Sequence, residues 1–421
     1  MMRRLMTSSP FKPPETAPSP RPSAMARNVR LYPWFGFFTN LVFWQGIWFL
    51  FFQERLSAAE AILIYAFYDI STTVLEVPLG YLSDRIGRRV TLILSSASFL
   101  LAAVLQAVGN EFWIFALAQV VLGAGKAFES GTASAMLYES LARDGRAHEI
   151  ATEELRSWRY AFTALALSAL TGGILAQFGF AYVYWATALA AIGALWLAPQ
   201  FAEPPHDEHA SDTEIGSLRD MLVHPVLLWC LVLALAMYVF SHVPFVFGQP
   251  FIQSALSAHG WTSEAPLVSG AVSAAMMVIS VGTSWFAPVV RKALGLSSVL
   301  LLALAMQTAL IGALAASGSM LVVGLLLLRM VPDSLARPFL LARIQPLLSD
   351  KRRATYLSVQ SFAGRMLFAG TLLLASAQAG DLASLGHDEL QSILVWYVGA
   401  GLAVLIGLAG SAKALRALEN R

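Results

Sequence analysis

Between two long apolar segments the chain reads Gly80-Tyr81-Leu82-Ser83-Asp84-Arg85-Ile86-Gly87-Arg88-Arg89. A carboxylate, three arginines and two glycines so close together mark a tight, charged turn at a membrane surface, because clustered charge is costly inside hydrocarbon. The segments on either side are about as long as the roughly 20 apolar residues that a helix needs to cross a bilayer. That pattern recurs along the chain. Its 421 residues are 57% hydrophobic and only 13% charged, with a mean hydropathy of +0.63, against about 25% charged in soluble domains. The composition excludes an ordinary soluble protein and predicts an all-α membrane protein, since a helix satisfies its backbone polar groups internally. Twelve spans fit, near residues 32–53, 58–82, 90–108, 112–138, 155–177, 180–200, 222–253, 265–290, 295–316, 318–347, 354–379 and 388–414.

Basic residues fix the orientation, because they collect in short cytoplasmic loops. With the N-terminus inside, only Arg55 falls in an outer loop, and Lys126, Arg329, Arg337 and Arg365 fall at membrane depth. Every other lysine and arginine is then cytoplasmic. A multi-pass protein of the cell inner membrane with both termini in the cytoplasm is expected. Residues 1–30, rich in proline and serine, read as a disordered tail, and Met25 offers a second start. A bundle over 31–200, an acidic linker over 201–221, a second bundle over 222–415 and a short tail over 416–421 complete the division. The single cysteine, Cys230, lies in an apolar run and excludes an internal disulfide.

The spacing G-x-L-x-D-R-x-G-R-R resembles the loop between the second and third helices of the major facilitator superfamily of secondary transporters. That resemblance implies twelve transmembrane helices in two pseudo-symmetric six-helix bundles around a central cavity. It implies that Asp84 sits by a helix N-terminus of the other half, and that Arg85, Arg88 and Arg89 pin neighbouring helix ends. Gly80 and Gly87 would permit the turn and close approach, with Glu76 supporting the gate. A degenerate echo without the aspartate, Ala287-Pro288-Val289-Val290-Arg291-Lys292-Ala293-Leu294-Gly295, stands at the corresponding place in the second half. Drug antiporters of the superfamily carry a span-four arginine where alignment on Gly123 and Gly125 puts Gln119 here, with Lys126 as the available substitute. Their span-five proline is missing from Ser168–Ile174. The stretch from Leu122 to Leu141 is more similar to a bacterial branch described only as transporters.

A charge within a span costs roughly 2.5 kcal/mol on insertion scales, so each needs a partner, a wet cavity or a function. Asp69 and Glu76 share a face of span two, and Lys126 and Glu129 are spaced to pair in span four. Span ten carries Arg329, Asp333 and Arg337 as a stripe, and span eleven carries Arg365. Glu129 is the first candidate for proton coupling, followed by Asp69 and Asp333. Asn40 and Gln45 are expected to face the cavity. The other rings of span one, Trp34, Trp44, Trp48, Phe35, Phe37, Phe38, Phe49, Phe51 and Phe52, are expected mostly at lipid. Tyr238 and His242 lie in a polar stretch of span seven whose Pro244 suggests a broken helix; Met237 and His242, five residues apart, do not share a helical face and so do not suggest a metal site.

No phosphate-binding loop, metal-ligand cluster, nucleophile elbow or nucleic-acid module is present. The expected function is therefore a non-enzymatic, monomeric, gradient-driven transporter of a small organic solute without a cofactor, working by proton-coupled efflux as an antiporter. Uptake of an anionic metabolite is the alternative within the class, and a non-transporting sensor or assembly factor the alternative outside it. Asp84→Asn is expected to impair transport while leaving the protein in the membrane; unchanged transport rates would contradict a gating role.

Overall fold

The computed structural model describes residues 24–130, 132–204, 224–344, 347, 350–379 and 387–419. In the first half α1 (Ala24–Thr39) and α2 (Trp48–Gln53) form span one, and α3 (Ala58–Ile86) and α4 (Arg88–Val108) form spans two and three. Span four is α5 (Phe112–Glu129) with α6 (Thr132–Arg143), followed by α7 (Ile150–Ala176) and α8 (Phe180–Leu197). The second half holds α9 (Pro225–Ser257), α10 (Ala265–Leu294) and α11 (Leu296–Ala316). Span ten is α12 (Met320–Leu325) with α13 (Val331–Ile344), and α14 (Asp350–Ala379) and α15 (His387–Glu419) close the bundle. Residues 24–30, expected in the tail, are helical, and Asn28 and Val29 are buried. α15 likewise runs on through Glu419.

Ten of the twelve expected spans are long and apolar enough to cross a bilayer. Spans one and ten fall short because each is interrupted. In span ten Pro332 occupies the second position of α13, where its missing N–H costs least, so the chain stops at Arg329–Met330 and restarts. In span one the gap over 40–47 is served by Gln249 of α9. Its Oε1 accepts from the Phe49 N–H at 2.8 Å and its Nε2 donates to the Gln45 carbonyl at 3.3 Å. Exposed backbone in hydrocarbon is tolerated only when protein satisfies it in this way. The break expected in span seven is absent: α9 runs unbroken through Pro244 and Pro250. It packs along its length on α10, α11, α14 and α15, which enclose it on both sides of the prolines.

The halves meet through α7 on α10 and α3 on α14. Side-chain hydrogen bonds that join them among the described residues all lie at the end away from the termini: Gln249 with span one, Gln177 with the Ser263 carbonyl and Ser376 with the Ala59 carbonyl. Three glycines close that end. A Cβ on Gly270 would fall 2.5 Å from the Ala169 carbonyl oxygen and 3.0 Å from Gly173 Cα, and one on Gly46 would fall 3.0 Å from Gly270 Cα. Four of the rings expected mostly at lipid, Trp48, Phe49, Phe51 and Phe52, are buried in one core cluster near this seal, whereas Phe35 is buried against Phe201 at the other end of the bundle and Trp34 is exposed. Trp48 stacks on Phe245 of α9 with centroids 5.8 Å apart and so joins the halves, while Phe51 and Phe52 pack on Phe115 and Tyr184 within the first half.

Gly270→Val should force the seal apart. Labelling of Ser376→Cys by a bulky maleimide is expected to quicken severalfold in that background, because Cys230 is buried and Ser376 is held between α14 and α3; an unchanged rate would show that the glycine contact does not hold this end shut.

Candidate functional site

The charged turn is tighter than expected. α3 continues through Gly80 to Ile86, and the chain reverses on Gly87 alone, at φ 91°, which is also the residue that opens α4. Positive φ explains this glycine. Gly80 has no such role, because a Cβ there would meet nothing within 4 Å. Gly295, at φ 78°, makes the same one-residue turn between α10 and α11, so the echo in the second half is geometric as well as sequential.

Arg88 donates to Glu139 of α6 at 3.4 Å and to the Ser83 hydroxyl at 3.1 Å, which ties the turn to the end of span four. Arg85 reaches Tyr81, its guanidinium lying 4.6 Å from that ring, while Arg89 is exposed. The side chain of Asp84 lies outside the described residues. The N-terminus of α4 receives a different carboxylate, that of Glu203. Its two oxygens accept from the Arg88 and Arg89 N–H groups at 2.6 and 2.7 Å. Sequence reading left Glu203 in the acidic linker, because nothing local shows that residue 203 returns to residue 88. Glu76 stands apart from the turn and accepts from Ser130 at 2.8 Å, at the break in span four.

Beneath the seal lie two chambers. The larger, about 480 Å³, gathers Asp69 of α3, Tyr238 and His242 of α9, Arg329, Asp333 and Arg337 of span ten, and Arg365 of α14. The smaller, about 210 Å³, takes in Asn40, Gln45 and Lys126 among apolar side chains. Most of the residues expected at a cavity therefore converge. Gln119 does not: it is buried where α5 packs on α3, and its carbonyl accepts from Ser71. Glu129 lines neither chamber and is bound by Lys126 at 2.6 Å.

Asp69 is 2% exposed, and its Oδ2 is buried without a hydrogen-bond partner. The hydroxyls beside it are turned away: Ser71 and Thr72 donate to the Tyr68 carbonyl, and Thr73 to the carbonyl of Asp69 itself. A buried carboxyl oxygen left in this state is costly. Asp333 accepts weakly from Gln307 at 3.4 Å, so the stripe of span ten is not an internally paired ladder. Among the described residues no ion pair closes on Arg329, Arg337 or Arg365. Arg329 donates to the Ser241 carbonyl at 3.4 Å and lies 5.1 Å from the Phe245 ring. His242 stacks on Tyr238 with centroids 4.1 Å apart.

Glu203→Gln keeps the shape of the carboxylate but removes its charge from the start of α4. A loss of about 1 kcal/mol is expected, read as an earlier thermal unfolding of the purified protein; equal stability would show that the clasp contributes nothing.

Comparison with known proteins agrees with this architecture. The model of the Major Facilitator Superfamily matches residues 33–371. No curated protein matches by sequence. Among solved structures, the nucleoside transporter NupG superposes with a TM-score of 0.72 at 11% identity, covering 92% of this chain and 99% of its own. Tetrameric PepTSo2 gives 0.69 at 12% identity, covering 94% and 100%. A bacterial homolog of the human lysosomal transporter Spinster, solved inward-facing and unoccupied, gives 0.66 at 16% identity, covering 93% and 96%. These likenesses show a shared fold, and the family match extends over most of the chain: it belongs to the major facilitator superfamily.

Proposed function

We propose that the chain is a secondary active transporter that moves a small organic solute by alternating access, exchanging it for protons across the inner membrane with both termini in the cytoplasm. The observation that carries this reading is Asp69: a carboxyl group with an unpartnered buried oxygen, in the wall of a cavity that Arg365 lines from the other half. Proton uptake removes the negative charge of Asp69 from that cavity, and proton release restores it. Opening and closing of the end near Arg365 is thereby tied to proton occupancy, while the glycine seal governs the opposite end. Glu129, the first candidate from sequence, is less suited, since its charge is already met by Lys126 at 2.6 Å. Uptake of an anionic metabolite is a second reading, favoured by the unpaired guanidinium groups of Arg329, Arg337 and Arg365 in the same cavity.

Everted vesicles with a proton gradient, challenged with a panel of organic cations and anions, test the coupling. At least one solute is expected to discharge the gradient through the unsubstituted protein, and Asp69→Asn is expected to slow that discharge roughly tenfold or more, as for a lost proton carrier. Glu129→Gln should slow it far less. Full discharge by the Asp69→Asn protein would remove Asp69 from the mechanism.

A further inference from the structure

Two chambers of unlike chemistry share one wall. Tyr65, Tyr68 and Phe245 line both. On one side Arg329, Arg337 and Arg365 face a space whose two carboxylates, Asp69 and Asp333, leave guanidinium charge in excess. On the other side Phe38, Leu41, Phe99, Leu122 and Leu165 wall a space whose single cation, Lys126, is already neutralised by Glu129 at 2.6 Å. Volumes of about 480 and 210 Å³ place the pair within the roughly 300–1,000 Å³ of ordinary ligand pockets. A solute that fills only the charged chamber leaves the apolar one empty. A purely apolar solute leaves the excess guanidinium charge uncompensated.

The geometry points to an amphipathic organic anion as the solute, its charged head among Arg329, Arg337 and Arg365 and its apolar body passing Phe245 into the smaller chamber. This inference rests on the transport reading above and adds the solute class to it. Guanidinium forks suit an oxyanion such as a carboxylate, sulfonate or phosphate, which they bind through paired, charge-assisted hydrogen bonds. The head cannot be drawn to Lys126 instead, because Glu129 occupies that ammonium. Arg337 is the exposed one of the three and stands nearest to free in the cavity; Arg329 is engaged with the Ser241 carbonyl, and Arg365 is half-buried in the same wall. The stacked pair Tyr238 and His242 supplies a polar edge between them.

The test uses the full chain in lipid nanodiscs and a series of straight-chain alkyl sulfonates from butyl to decyl, with alcohols of equal length beside them. Quenching of tryptophan emission reports binding, since Trp44 lines the smaller chamber. Affinity for the sulfonates is expected to rise about twofold to fourfold per methylene until the apolar chamber is full, and to exceed that of the matching alcohol roughly tenfold. Leu165→Trp fills part of the chamber and should end that rise at a shorter chain. Val42→Phe, on the opposite wall, repeats the test should the first variant not fold. Arg337→Gln should shrink the preference for sulfonate over alcohol. Sulfonates that bind no better than alcohols, an affinity indifferent to chain length, or no binding at all would each overturn the inference. Expected binding without movement of the same sulfonates across vesicles would instead overturn the transport reading. Proton-coupled movement of other solutes without the chain-length series would overturn this inference alone.

Discussion

Gly46, Gly173 and Gly270 bring three backbones of two different halves into contact, and the remainder of the molecule is arranged around that contact. Apolar area drives little association between helices already in lipid, so close packing of small residues and buried hydrogen bonds must hold them. Both are present here. The glycines remove the side chains that would keep α7 and α10 apart, and Gln249 supplies the polar stitching beside them. The broken backbone over 40–47 is tolerated here because Gln249 bonds to it and because part of it lines a chamber instead of lipid. Away from this contact the larger chamber is lined from both halves, and the smaller lies within the first bundle with Phe245 of the second half in its wall.

Charge placement follows from the same chambers. Three arginines and two aspartates inside the spans would be expensive against lipid, at roughly 2.5 kcal/mol each on insertion scales. Around a cavity the arginines keep some exposure, while Asp69 is buried in its wall. The cavity explains why Arg337 is exposed and Arg365 half-buried although both lie in spans, and why neither needs a carboxylate in contact. Lys126 and Glu129 meet the alternative requirement: with less room around them, they pair. The contrast separates charges that hold structure from charges left available to something that enters.

Much of this was legible in the sequence because the bilayer imposes a length on every span, and ten of the twelve expected spans are helices of that length and apolarity among the described residues. The charged turn was legible because its glycine must take a positive φ. Interruptions were legible only where a residue carries the cause. Pro332 announces the break in span ten, but the break in span one depends on Gln249, two hundred residues away along the chain, and no local signal betrays it. Pro244 misled for the converse reason: neighbours packed on α9 let the helix continue. The rings of span one misled as well, since an aromatic residue reads alike whether it faces lipid or a partner helix. Asp69 was recognisable as a buried acid, but its isolation follows from three neighbouring hydroxyls that bond back to their own helix, a choice of rotamer that sequence does not reveal.

Glu203 shows how a repeated motif acquires an unequal role. Gly87 and Gly295 make the same turn at equivalent places in the two halves, so local geometry alone treats them alike. What differs is the chain that passes nearby. As the first half ends, the backbone carbonyls of Gln200 and Ala202 accept from Arg27 and Asn28, the Ala202 N–H donates to Asn28, and Glu203 clasps the start of α4. The exit from the first bundle is thereby bound to its first helix and to its charged turn at once. A Cβ on Gly87 would strike the Glu203 carboxylate at 2.8 Å, whereas one on Gly295 would meet nothing within 4 Å. The first turn is therefore tied to the exit segment as far as Glu203, and among the described residues the second turn has no such clasp.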